Sequence, residues 1–269
     1  MRIAMITLSL RGHEIAERIR EGFPGTDVYV HDLVDLPAES RQVERFAKIV
    51  ELTAEIFSRY EGLVYVAPCG VAVRAIAGCL EEKATDPAVV VLDAGARFAV
   101  SLLSGHEGGA NELAIGIANL TGAEPVISTT TEALKNVIVG VGCRKGTGQA
   151  RVREAIVASL GEAGVSLDEV RFIATADVKA EEAGLIEAAA GLGIPLRIVA
   201  SDVIRTYAGA FQASRFVMEK VNLPAVAEPA AMLAGRRTQL LRGQKSYHGV
   251  TVALARESFM SSGSAPAAD

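Results

Sequence analysis

Tryptophan is absent from this sequence, and aromatic residues make up only 5% of it. A core without large rings has to come from aliphatic side chains. Half of the residues are hydrophobic, with Val, Ala, Ile and Leu dominant, a composition suited to buried parallel sheets under Ala-rich helices. Cysteine is scarce. Cys69, Cys79 and Cys143 are odd in number, scattered and free of CxxC spacing, so neither a disulfide framework nor a zinc site is indicated. Small core or loop residues are the simpler reading of all three. The histidines His13, His31, His106 and His248 show no metal-ligand spacing. Long apolar runs are missing too: none approaches the ~18 residues that span a bilayer. The chain starts directly on a strand-like MRIAMITLSL. A soluble cytoplasmic protein with no membrane partner is therefore expected. A net charge of −5 excludes a general nucleic-acid binder, which would carry a basic face. An acidic protein can still hold an anionic ligand where cations and helix N-termini converge.

What is present is an alternation of short apolar runs with amphipathic segments. Strands are expected at 2–10, 27–31, 63–67, 88–92, 98–103 and 125–128, with helices at 12–22, 40–60 and 108–120. The long helix over 40–60 rests on Val43, Phe46, Ile49, Val50, Ile56 and Phe57 at helical spacing. Asp93-Ala94-Gly95 reads as a hairpin turn. After a bridge at 133–136 the pattern restarts, with strands at 137–141, 170–174, 196–200 and 250–255. Helices are expected at 149–160, 181–192, 212–220 and 227–233. The architecture implied is α/β, two Rossmann-like three-layer αβα units, each with a mainly parallel sheet. Residues 1–135 form the first, 136–258 the second, and 259–269 a small-residue tail expected to be disordered.

Two glycine-bearing turns carry chemistry. The first, from Leu103 through Ser104, Gly105, His106, Glu107, Gly108 and Gly109 to Asn111 and Glu112, follows a strand and opens a helix. Its glycines allow tight backbone and bare N–H groups, and the carboxyl end of a strand is where open α/β sheets bind ligands. The same residues also suit a plain Gly-rich turn, with Asn111 and Glu112 favouring the helix start. The second turn is Gly142-Cys143-Arg144-Lys145-Gly146-Thr147. Adjacent cations, a helix start and a Thr able to N-cap it favour an anion. A solvated, capped helix start is the less favoured alternative. GxxxxGK[ST] spacing is absent, so a nucleoside triphosphate is not implied.

Taken as an ordered set, these segments resemble the CbiG family. Gly70-Val-Ala-Val-Arg74 is similar to its GI-x-VR element and Asp86-Pro-Ala-Val-Val-Val91 to its DPAVVV strand. Leu102 to Leu113 resembles LLSGHxGGANEL, the most specific signature, and Pro125-Val-Ile-Ser-Thr-Thr130 resembles PVITTA. In the second half, Gly140 to Thr147 is similar to GIGCRKGT, 174–179 to TxDxK and 226–231 to VAEPAA. The second half alone also resembles the CobE family. Two departures stand out. Thr131 and Val137 are only six positions apart, so the family's middle segment is missing, and its DE pair is Asp93-Ala94 here.

The resemblance implies hydrolysis of the ring-A acetate/C-20 lactone of cobalt-precorrin-5A, releasing acetaldehyde to give cobalt-precorrin-5B in anaerobic cobalamin biosynthesis. It implies no protein cofactor, since cobalt arrives with the substrate, and neighbouring corrin-pathway enzymes as partners. His106 is the natural general base near neutral pH, with Glu112 as an alternative base or orienting group. Gly108 and Gly109 are candidate oxyanion-hole donors, and Ser104, Gly105 and Asn111 line the same loop. Arg74, Arg144, Lys145 and Lys179 are candidate carboxylate ligands, with Thr147 beside them. Glu228 is either a second acid/base group or simply part of a helix start whose Pro229 occupies the first helical position. A non-catalytic corrinoid-binding carrier of the same pathway is the alternative.

Overall fold

The computed structural model describes residues 1–258 apart from 39, 41, 208, 210, 212–222 and 224. The helix expected at 212–220 and the tail at 259–269 lie outside the described residues. The chain divides into two compact units, one covering Met1–Thr129 and the other beginning at Thr130.

The first unit runs β1 (Ile3–Thr7), α1 (Leu10–Gly22), β2 (Asp27–His31), β3 (Glu44–Phe46), α2 (Ile49–Ile56), β4 (Gly62–Val66) and α3 (Cys69–Ile76). It continues with β5 (Ala88–Leu92), β6 (Phe98–Leu103), α4 (Ala110–Thr121) and β7 (Glu124–Val126). The strands form one sheet in the order β3-β2-β1-β4-β5-β6-β7. From β3 to β5 neighbours are parallel, whereas β6 returns antiparallel to β5 and β7 runs parallel to β6.

Strand periodicity splits this core into two layers. Met5, Val30, Val64 and Val90 face α1 and α4, meeting Ile15, Ile19, Leu113 and Ile117. Their alternates Ile6, Tyr29, Tyr65 and Val91 face α2 and α3, meeting Leu52, Ile56, Ala72 and Ile76. Helices thus cover both faces, as expected for runs buried on both sides. The Asp93 turn is the expected hairpin: Asp93 accepts the N–H groups of Gly95, Arg97 and Phe98, and Ala96 takes φ 52°.

The single helix expected over 40–60 is replaced by edge strand β3 followed by the shorter α2. Phe46 packs into the core as part of β3, while Val50 is 54% exposed on the outer face of α2. Its spacing matched a helix, but the pairing of β3 with β2 decided the first part. Local periodicity cannot register a pairing partner that distant.

The second unit contains α5 (Thr130–Ala133), β8 (Val137–Cys143), α6 (Gln149–Ala163), β9 (Val170–Ala176), α7 (Ala183–Leu192), β10 (Leu196–Val199) and α8 (Ser201–Thr206). After α9 (Ala227–Leu233) it ends in the hairpin β11 (Thr238–Tyr247) and β12 (Val250–Glu257). The sheet order is β10-β9-β8-β12-β11. β8, β9 and β10 are parallel, and β12 and β11 add antiparallel pairs. α6 and α7 cover one face through Val152, Ile156, Leu185 and Ala188. The other face is covered by α9, whose Ala227 and Ala231 sit on Ala253 and Ala255.

Here small residues fix the geometry. A Cβ at Gly140 of β8 would lie 1.9 Å from the Ala227 carbonyl oxygen. α9 therefore rests its backbone on β8, which only glycine permits. Pro229 is the third residue of α9, not the first, though its missing N–H is still one that a first turn leaves unpaired. Strand β11 and helix α8 were not expected. β11 is mostly polar and has no buried residue, with its Leu240 and Leu241 exposed and register shifts around Arg242, so it lacks a clean alternation.

Candidate functional site

The signature loop of the first unit is tightly built. Ser104 takes φ 55°, and its hydroxyl donates to the Asp86 carbonyl oxygen at 2.8 Å. The Ser104 carbonyl accepts the N–H groups of Gly108 and Ala110 at 3.1 and 3.2 Å, and the Gly105 carbonyl accepts that of Asn111. Asn111 is 3% exposed; Ser101 donates to its Oδ1 at 2.8 Å, and its Nδ2 donates to Thr129 Oγ1 at 3.1 Å. Gly109 is the N-cap of α4 with φ 83°, a conformation that favours glycine. Ser104, Gly105, Asn111 and the Gly108 N–H are thus engaged in holding the loop.

His106, Glu107 and Glu112 are the exposed side chains of this loop. Glu107 pairs with Lys83 at 2.8 Å. That Lys83 hydrogen bond is the main reason the Glu107 carboxyl is held below its ordinary range.

The loop's position corrects an expectation. It follows the carboxyl end of β6, but β6 runs against β5, with Leu103 opposite Val89 and Ala99 opposite Leu92. The loop therefore lies at the amino edge of the parallel strands β1, β4 and β5. Their carboxyl edge carries Ser9, Pro68 to Gly70 and the Asp93 turn instead. Arg74, exposed on α3, folds back to donate to the Gly70 carbonyl at 3.0 Å. Arg74 and His106 thus belong to opposite edges of one sheet, and the fold does not bring them together.

The cationic turn of the second unit is placed differently. It leaves the carboxyl end of β8, the strand at which the sheet order reverses, where open α/β sheets form their ligand crevices. α6, α7 and α8 all begin along this edge, and Val226, ahead of α9, packs on Gly142. Arg144 and Lys145 are exposed. The Arg144 stem lies against the β11–β12 hairpin, where a Cβ at Gly249 would be 3.9 Å from its Nε. Thr147 does not cap α6. Its hydroxyl turns back to donate to the Arg144 carbonyl at 2.7 Å, and the N-cap is Gly148, with no side-chain cap bond. The first turn of α6 therefore carries no side-chain cap, and it follows the two cations closely in the chain.

The TxDxK residues hold this edge together. Thr175 donates to the Val141 carbonyl at 2.8 Å, and Asp177 receives both the N–H and the hydroxyl of Ser201 at the start of α8. Lys179 donates to Glu182 Oε1 at 2.9 Å, while Glu182 Oε2 accepts the Gly146 N–H at 3.0 Å. The Lys179 bond, opposed by partial burial and helped by the Gly146 N–H, lowers the Glu182 carboxyl below its ordinary range. Glu182 was missed in the sequence, where its only signal is a carboxylate three residues after Lys179. Glu228 is half-buried in the first turn of α9 and accepts the Gln244 N–H at 3.4 Å, tying that helix to β11.

Cys69 is exposed, and Cys79 and Cys143 are half-buried. Among the described residues no group of three or more His, Cys, Asp or Glu side chains can hold a metal ion. Among the same residues no helix is long and apolar enough to cross a membrane.

Residues 51–132 match the family model described as Cobalamin synthesis G N-terminal, and residues 137–255 match Cobalamin synthesis G C-terminus. A cobalt-precorrin-5A hydrolase of Priestia megaterium is 38% identical over 138 residues, covering 51% of this chain and 37% of that protein. Its namesake from Salmonella typhimurium is 34% identical over 134 residues, covering 48% of this chain and 36% of the relative. Protein CobE from a Sinorhizobium species is 30% identical over 117 residues, 43% of this chain and 76% of CobE. The chain therefore spans little more than a third of the length of the two hydrolases it matches.

Proposed function

The chain belongs to the cobalamin synthesis G (CbiG) family, and from that premise we propose that it acts in cobalamin biosynthesis as a hydrolase of cobalt-precorrin-5A. Supporting this reading are relatives of that name and matches to both of the family's domain models. The observation that carries it is an exposed imidazole, His106, on a loop whose backbone is held by Ser104, Gly105 and Asn111.

In the proposed reaction His106 takes a proton from water as the oxygen attacks the lactone carbonyl. The tetrahedral intermediate collapses with cleavage of the ring C–O bond, leaving a free acetate and a hydroxyl on C-20. Loss of the hydroxyl proton then forms the carbonyl of acetaldehyde as the bond from C-20 to the macrocycle breaks. The electron pair passes into the conjugated macrocycle, which belongs to the substrate. Glu112, exposed in the first turn of α4, is the second candidate base. Gly109 is the remaining loop candidate for oxyanion donation, since the Gly108 N–H is directed to Ser104.

Arg144 and Lys145, with the uncapped start of α6, are proposed to receive a substrate carboxylate. Lys179 acts indirectly, through Glu182.

A non-catalytic corrinoid carrier is the second reading. The observation that leaves room for it is that the chain covers only 37% of the hydrolase it matches. Anaerobic incubation with cobalt-precorrin-5A and trapping of acetaldehyde separates the two. Release at catalytic turnover supports the hydrolase; binding without release supports the carrier.

A further inference from the structure

We propose that Glu182 is a positioning residue for the cationic turn, a brace that sets Gly146 so that Arg144 and Lys145 present their charges to a ligand carboxylate. The inference rests on the anion-binding reading of that turn given above. It adds a residue that touches no ligand.

Three observations converge on it. First, one carboxylate spans two elements: Oε1 takes the Lys179 ammonium at 2.9 Å and Oε2 takes the Gly146 N–H at 3.0 Å. Both side chains are largely sheltered, at 15% and 14% exposure for Lys179 and Glu182, so water competes weakly for them. Second, Gly146 holds φ 75°, a left-handed conformation open to glycine, and its N–H is directed to Glu182. Third, the position of Glu182 is itself enforced by backbone packing. A Cβ at Gly184 would lie 2.0 Å from the Thr147 carbonyl oxygen, so the first turn of α7 rests directly on the turn it braces. Gln149 adds a bond to the Glu187 carbonyl at 3.0 Å.

Meanwhile Lys179, the one sheltered cation of the group, is neutralised by the brace. The two exposed cations remain for a ligand. A carboxylate brace is an odd neighbour for an anion site, because its charge opposes the ligand. The hydrogen-bond geometry is what it contributes, and that separates reach from charge experimentally.

The test uses the full chain and isothermal titration with cobyrinic acid, a corrinoid whose side chains are free carboxylates. Glu182→Asp keeps the charge but is one methylene too short to bridge both partners. Its affinity is expected to fall roughly tenfold, the scale of one lost hydrogen bond to a charged group. Glu182→Gln keeps an oxygen for the Gly146 N–H and removes the opposing charge, so its affinity is expected to equal or exceed wild type. Wild-type affinity in Glu182→Asp with altered affinity in Glu182→Gln would mean that only the charge matters, and would overturn the brace. Equal losses in both variants would overturn it as well. Thermal unfolding of each variant separates a lost brace from a lost fold, and Arg144→Ala is the control for the site. If that variant binds like wild type, the anion-binding reading fails. If Arg144→Ala weakens binding and Glu182→Asp does not, the brace alone fails.

Discussion

Both candidate turns have the same outline in the sequence, a strand, a glycine turn and a helix, yet the fold puts them in opposite situations. The cationic turn leaves β8 at the edge where ligand crevices form. The signature loop leaves β6, which runs against β5, and so lies at the amino edge of the parallel strands β1, β4 and β5. They are also held differently. Side-chain bonds from Ser104, Ser101 and Thr129 pin the signature loop. Close backbone approach of Gly184 to Thr147 pins the cationic one, and close approach at Gly140 seats α9 on β8, the strand it leaves. The lesson is that a turn motif specifies local backbone, whereas strand direction decides what it faces.

The sharpest way to separate the turns is kinetic. His106→Ala is expected to lower turnover on cobalt-precorrin-5A by roughly 10²–10⁴-fold with binding retained, the usual range for a lost general base. Single-turnover acetaldehyde release together with titration measures both quantities. A near-normal rate would move the role to Glu112 or to bulk water.

Stability tests the difference in construction. Gly140→Ala pushes a methyl toward the Ala227 carbonyl and is expected to cost about 2–3 kcal/mol, the scale of overpacking a tight contact. Gly161→Ala, in a helix with open space around it, is expected to gain about 0.5–1 kcal/mol. On the other loop, Asn111→Ala strands the Ser101 and Thr129 hydroxyls and is expected to cost about 1–2 kcal/mol. Urea unfolding monitored separately in each unit reads all three. Equal effects of Gly140→Ala and Gly161→Ala would mean that close backbone approach does not seat α9 on β8.

Binding to the cationic turn comes next in size. Arg144→Ala is expected to weaken cobyrinic acid about tenfold, close to 1.4 kcal/mol, and Arg236→Ala to change it little. Because Arg144 and Lys145 are exposed, added salt is expected to weaken wild-type binding clearly, as for screened surface charges. Titrations at two salt concentrations check this, and salt-independent binding would place the ligand elsewhere.

The smallest effect concerns pH. Lys245, Arg242 and Tyr247 of β11 all donate to Glu162, whose carboxyl is lowered to about 2. A depressed carboxylate adds stability above its unfolded value of 4.5 and loses it as pH falls through its folded one. The stability difference between wild type and Glu162→Gln is therefore expected to be constant above about pH 5 and to shrink between 4.5 and about 2. A difference that persists at the acid end would mean the contact is not ionic.

Most strand and helix positions were legible because their cores are made by local alternation. The runs 27–31, 88–92 and 98–103 became strands with those bounds, and the Asp93 turn became the expected hairpin. The candidate side chains His106, Arg144 and Lys145 were legible as well, being polar groups in glycine turns. Beyond that, pairing across the chain decided the outcome. Phe46 joined a strand rather than a helix because β2 paired with β3. Polar β11 became a strand only because β12 lay beside it. Lys179 is a candidate ligand cation in the sequence, yet Glu182, three residues on, pairs with it, and the long-range part of that arrangement is the Gly146 N–H on the same carboxylate. Composition and periodicity are properties of neighbours in sequence, so they determined the α/β class and the turns. Strand direction and close backbone approach depend on residues far apart in the chain, and only the tertiary structure could settle them.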